Sequence, residues 1–109
     1  MSTLASELDT PALLIDLDIM ESNIWGMAQL ASAAGVKLRP HTKTHKCPQI
    51  ARRQVEAGAT GITVAKLGEA EVMADAGFDD ILIAYPLWGE PKLTVQEEPV
   101  VHSKVWGEV

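Results

Sequence analysis

Three alanine–glycine pairs constrain most strongly what this chain can fold into. Ala34-Gly35, Ala57-Gly58 and Ala76-Gly77 each close a stretch of helical periodicity, and an apolar run follows each. Glycine just past a helix end takes the left-handed backbone conformation without steric cost, so these pairs predict helix stops. The glycines lie 23 and then 19 residues apart, which suits repeated helix-plus-strand units. Apolar runs predict strands over 12–17, 36–43, 61–66 and 80–85. Helices are predicted from Asp18 to the first stop, from Pro48 to the second and from Leu67 to the third. The order is β-α-β-α-β-α-β, which predicts an α/β fold with a parallel sheet and right-handed crossovers. An open doubly wound sheet and a piece of a barrel both satisfy it. No Gly-rich phosphate loop follows any strand, so nothing points to a nucleotide fold.

Local signals refine this outline. Asp18, with Glu21 three residues on, predicts the first helix cap. Met20, Ile24, Met27, Ala31 and Ala34 form its predicted apolar stripe. Leu67, Ala70, Met73 and Ala74 do the same for the third helix. Pro48 suits a first helical turn. Pro40 removes a ladder donor, so the strand around it is expected to pair irregularly. Residues 1–9 read as a loose lead-in, and 93–109 as a Val-rich tail that cannot be the helix expected there.

Composition sets the outer limits. The 109 residues suffice for one small core, and 47% are hydrophobic, as in a globular chain. A formal net charge of −6 argues against nonspecific binding to nucleic acid or an anionic membrane. The single cysteine, Cys47, excludes an internal disulfide. No signal-peptide core and no apolar run of membrane-spanning length is present, so a cytoplasmic location is expected.

The chemically unusual stretch is Leu38-Arg39-Pro40-His41-Thr42-Lys43-Thr44-His45-Lys46. In an extended strand Arg39, His41, Lys43 and His45 share one face. Such a face is costly in a core and suits an anion or a carbonyl compound. Lys43 and Lys66 both fall at predicted carboxyl ends of strands, where catalytic groups of parallel α/β folds gather. A lysine attacks an aldehyde only as the neutral amine, and at the reference pKa roughly 1 in 10^3 is neutral at pH 7. Neighbouring cations favour the neutral form. Arg39, His41, His45 and Lys46 surround Lys43, whereas Glu69 and Glu71 neighbour Lys66, so charge context selects Lys43 as the nucleophile. The bland alternative is a pair of solvated lysines. His41 and His45 have a metal-compatible spacing, but Lys43 lies between them and no carboxylate or thiol adjoins, so no metal ligands are assigned. Cys47 reads as a helix-entry residue, Glu69 and Glu71 as a solvated helix face, and Tyr85 as a pocket or rim residue.

Four blocks then resemble one family: residues 10–18, Arg39-Pro40-His41-Thr42-Lys43-Thr44-His45-Lys46, residues 64–72 and residues 80–86. In this order they are similar to the D-threonine aldolase and eukaryotic-type D-serine dehydratase family, pyridoxal phosphate enzymes of the alanine racemase-like, fold-type III group. The resemblance covers roughly residues 9–92 and implies several things. The fold is the N-terminal portion of a (β/α)8 barrel, with strand 12–17 belonging to a separate β-domain. Lys43 holds pyridoxal 5'-phosphate as a Schiff base, with His41 and Arg39 as cofactor-binding neighbours. The substrate is a small D-3-hydroxy amino acid, cleaved between Cα and Cβ or dehydrated. A divalent metal acts in full-length relatives through ligands with no match here. A homodimer is compatible with the family. A whole barrel needs about 250 residues, so this chain is expected to be a fragment of residues 1–92 plus an unrelated tail, 93–109, marginally stable and inactive alone. The alternative is a non-catalytic product, or a cofactor-binding fragment that needs a partner chain.

Overall fold

In a computed structural model, residues 4–86 and Trp88 are described. The tail expected over 93–109 lies outside the described residues. The elements are helix α1 (Leu17–Ala33), helix α2 (Pro48–Glu56), strand β1 (Ile62–Val64), helix α3 (Leu67–Asp75) and strand β2 (Ile81–Ile83), after a single 3-10 turn at Ala5–Glu7. The three predicted helices and the last two predicted strands therefore appear in the expected order, while the strands expected over 12–17 and 36–43 are absent from these elements.

All three helices stop in the same way. Gly35, Gly58 and Gly77 have φ of 66°, 117° and 92°. After α1, Val36 N–H donates to Ala31 O and Gly35 N–H to Ser32 O, at 3.0 and 3.1 Å. Ala59 N–H to Gln54 O and Gly58 N–H to Val55 O repeat the pattern after α2, and Phe78 N–H to Met73 O and Gly77 N–H to Ala74 O repeat it after α3. This double bond is the Schellman motif, which satisfies carbonyls that the helix leaves without partners.

The start of α1 differs from expectation. Asp16, not Asp18, is the cap, and its carboxylate accepts from Ile19 N–H at 3.0 Å. Asp18 instead lies in the first turn, where a negative charge meets the positive end of the helix dipole. Residues 12–16 form no strand and Leu17 is already helical. A strand exists only by pairing, and no described segment runs alongside this one. The buried stripe also shifts. Ala31 is buried and Met20, Ile24 and Ala28 are half-buried, while Met27 and Ala34 are exposed. The Arg53–Glu21 ion pair joins α2 to α1.

β1 and β2 run parallel, in the register Ile62↔Ile81, Thr63↔Leu82 and Val64↔Ile83. The predicted strand over 36–43 lies beside β1 but is recognised only as one parallel bridge, His41↔Thr63. Thr63 N–H donates to Pro40 O, and Thr42 N–H to Thr63 O, both at 2.8 Å. Two residues earlier the ladder would need an N–H from Pro40, which has none. Proline thus shortens this strand as expected, and Thr60 N–H reaches Leu38 O instead.

Two side chains, Arg39 and Asp80, continue the connection there. By register Arg39, Gly61 and Asp80 form one row across the three strands. Arg39 Nη1 donates to Asp80 O at 3.2 Å and Ile62 O at 3.4 Å, and pairs with Asp80 Oδ1 at 2.7 Å. The guanidinium crosses over Gly61, where an added Cβ would stand 2.5 Å from Arg39 Nη1 and from Asp80 O. The core lies on the helix side of the sheet. Ala51 of α2 and Ala70 and Met73 of α3 pack with Ile62, Val64, Phe78, Ile81 and Ile83. Leu67 and Ala74 flank this cluster, so the stripe predicted for α3 is observed in full. Arg52 lies 4.7 Å from the centroid of the Phe78 ring, and closes α2 onto the end of α3. Among the described residues no helix is long and apolar enough to cross a membrane.

Candidate active site

The parallel strands bring three chain segments to one end: the turn after His41, Ala65-Lys66 after β1, and Ala84-Tyr85 after β2. Lys43 lies on the first of these, in a turn rather than on a strand, and is exposed. The turn is built by its own histidines. His41 Nδ1 accepts from Lys43 N–H at 3.2 Å, and His45 Nδ1 accepts from Cys47 N–H at 3.0 Å. Between them Lys46 N–H closes on Thr42 O at 2.8 Å. A ring nitrogen that accepts carries no proton, so each imidazole is the Nε2–H tautomer. His45 Nε2–H then donates to Gln54 Oε1 of α2 at 3.1 Å. Among the described residues His41 Nε2–H has no such partner. Thr42 is buried under the turn and its hydroxyl donates to Thr63 O at 3.1 Å.

This geometry corrects the single basic face. His41 and Lys43 are brought together. Arg39 belongs to the row at the amino ends of the strands, with its charge against Asp80, and His45 turns to α2. The strand ends at Thr42, so alternation stops before Lys43. No described hydrogen bond or ion pair engages the Lys43 ammonium. Cys47 caps α2 with extended backbone, as its place before Pro48 suggests, and its thiol donates to Gln49 Oε1 at 3.1 Å. Tyr85 is exposed at the end of β2.

Glu69 was hidden from sequence reasoning. Rather than lying on a solvated face, its side chain is only 12% exposed. Oε2 accepts from Ala65 N–H at 2.7 Å, and Oε1 faces Lys46 Nζ at 3.4 Å. The Ala65 N–H, followed by Lys46 and Lys66, holds the carboxyl below the usual carboxylate range, against the opposing effect of burial. A glutamate in the third helical position, reaching back to a loop N–H, was the available signal. Glu71 is exposed as expected. A cleft of about 360 Å³ opens between the turn and α3, with Thr42, Lys46, Lys66, Glu69 and Met73 among its walls. Among the described residues no three His, Cys, Asp or Glu side chains gather as metal ligands.

An exposed lysine at the carboxyl end of a parallel sheet, with no partner among the described residues, can receive an aldehyde. Residues 15–108 match the family described as alanine racemase, N-terminal domain. The chain is 56% identical over 77 residues to a D-threo-3-hydroxyaspartate dehydratase from Delftia sp., a match covering 71% of this chain and 20% of that protein. It is 43% identical over 90 residues to a D-threonine aldolase from Arthrobacter sp., covering 83% of this chain and 24% of the relative. The crystal structure of D-threonine aldolase from Filomicrobium marinum superposes with a TM-score of 0.81 at 48% identity, over 84% of this chain and 24% of that one. The chain thus spans about a fifth to a quarter of the length of these relatives.

Proposed function

Because the chain belongs to the alanine racemase N-terminal domain family, we propose that it carries the cofactor-holding lysine of a pyridoxal phosphate-dependent lyase for D-3-hydroxy amino acids. The observation that supports this most directly is the state of Lys43. Its amine is exposed at the carboxyl end of the sheet and has no described partner, whereas Lys46 close by is paired with Glu69. Lys43 Nζ is the atom that binds the cofactor's aldehyde carbon. His41, whose Nδ1 accepts from the Lys43 backbone N–H, has an Nε2–H that can serve as a donor on the same turn. Arg39 supports the site from the far end of its strand, through Asp80. When bound, the cofactor supplies an electron sink for bond breaking at Cα. The relatives named as aldolase and dehydratase motivate both outcomes for the substrate, Cα–Cβ cleavage and loss of water.

Reduction with borohydride in the presence of pyridoxal phosphate, followed by peptide mass spectrometry, tests the assignment. The pyridoxyl group is expected on Lys43, and Lys43→Ala is expected to abolish it. A label on Lys66, or on no lysine, overturns it.

A second role is favoured by one observation, the exposed apolar flank formed by the lead-in and α1. Leu13 is 91% exposed, and Leu14, Leu17, Trp25 and Leu30 are exposed beside it. In that case the chain holds the cofactor but needs a partner chain to cover this flank before it turns over substrate. Labelling of Lys43 without release of either glycine and acetaldehyde or a 2-oxo acid and ammonia from D-threonine distinguishes the two.

A further inference from the structure

Lys46 is the one non-glycine residue with positive φ among the described residues, at 50°. Left-handed backbone is costly for any residue with a Cβ and free for glycine. Such an outlier persists where its surroundings determine it. The Lys46 side chain shows what determines it here. Nζ lies 3.4 Å from Glu69 Oε1, while Glu69 Oε2 accepts from Ala65 N–H at 2.7 Å. One half-buried carboxylate therefore joins the segments that follow two neighbouring strands. The residue anchored to it is also the one whose N–H closes the Lys43 turn on Thr42 O. We propose that Lys46 and Glu69 form a latch that positions Lys43, and that Glu69 also holds the second amine of the turn away from the aldehyde. Both are positioning residues, since neither needs to touch the cofactor. The inference rests on Lys43 being the cofactor-holding amine.

A latch has two consequences that a merely solvated ion pair lacks. The amides of Lys43, Lys46 and Cys47, each hydrogen-bonded within the turn, are protected by it. The choice between Lys43 and Lys46 as the labelled amine also depends on it. The test compares the 109-residue chain with Lys46→Arg, Lys46→Gly and Glu69→Gln. Amide hydrogen exchange at the three positions is read alongside the distribution of the borohydride-reduced pyridoxyl label. Lys46→Arg keeps a cation on Glu69 and is expected to match the parent. Lys46→Gly and Glu69→Gln are expected to speed exchange roughly fivefold, the size expected for a partly buried pair. In Glu69→Gln label is also expected to appear on Lys46. Slower exchange in Lys46→Gly, as simple relief of the backbone would give, overturns the latch. Unchanged exchange and labelling in Glu69→Gln overturn it as well. Label confined to Lys66 in the parent sinks the Lys43 assignment instead, and the exchange rates still decide whether the latch exists.

Discussion

Gly61 is the position least tolerant of a side chain for reasons outside its own backbone. Its φ is not in the left-handed region, and the constraint comes from Arg39 and Asp80 closing over it. Gly61→Ala forces the guanidinium or the Asp80 backbone aside. It is expected to lower stability by about 1–3 kcal/mol, the range for overpacking a close contact, read as a fall in urea midpoint. An unchanged midpoint would show that the Arg39 row carries no load. This need was invisible in the sequence, where Gly61 is only the start of an apolar run, because the residues that demand it come from 22 positions before and 19 after. The basic block that carries Lys43 stood out in the sequence for the opposite reason. Its chemistry is local, a lysine in a dense basic block near a strand end. The directions taken by Arg39 and His45 were not legible, because alternation assumes that the strand runs on and the chain turns at Thr42 instead.

At the scale of elements, the helix stops were the most legible feature, since a Schellman motif is dictated by glycine within a few residues of its own position. Elements that depend on distant partners were read less well. Strand 12–17 did not form, and strand 36–43 was right in place but reduced to a bridge by Pro40. α3 shows how a tertiary contact changes an element's chemistry. Its Glu69 has a folded-state pKa below the unfolded one, so its stabilising contribution is present above the ordinary carboxylate range. That contribution fades as pH falls through the folded value, when the protonated carboxyl no longer accepts from Ala65 N–H as an anion. Urea midpoints of the parent and Glu69→Gln should therefore differ at neutral pH and converge in acid. A gap that persists below the carboxylate range would mean that the charge of Glu69 is not what stabilises.

At the scale of the whole molecule, the core is one-sided. α2, α3 and the strands bury a compact apolar cluster, while the lead-in and α1 present Leu13, Leu14, Ile15, Ile19, Trp25 and Leu30 to solvent. Large apolar side chains exposed in this number favour association. The chain is expected to bind a hydrophobic fluorescent dye and to self-associate as concentration rises. Replacing Leu13 and Leu14 with Lys is expected to reduce both, measured by dye fluorescence and light scattering. Periodicity did not point to these residues, because Ile19, Trp25 and Leu30 lie off the apolar stripe it finds on α1. The Arg39–Gly61–Asp80 row adds a separation of duties. It rivets three strands at their amino ends, four residues from Lys43 along the chain. The segments at the opposite end carry little of that load. A frame fastened at one end can keep its fastening while the segments at the other end vary, so the turn that carries Lys43 can change without a change of fold.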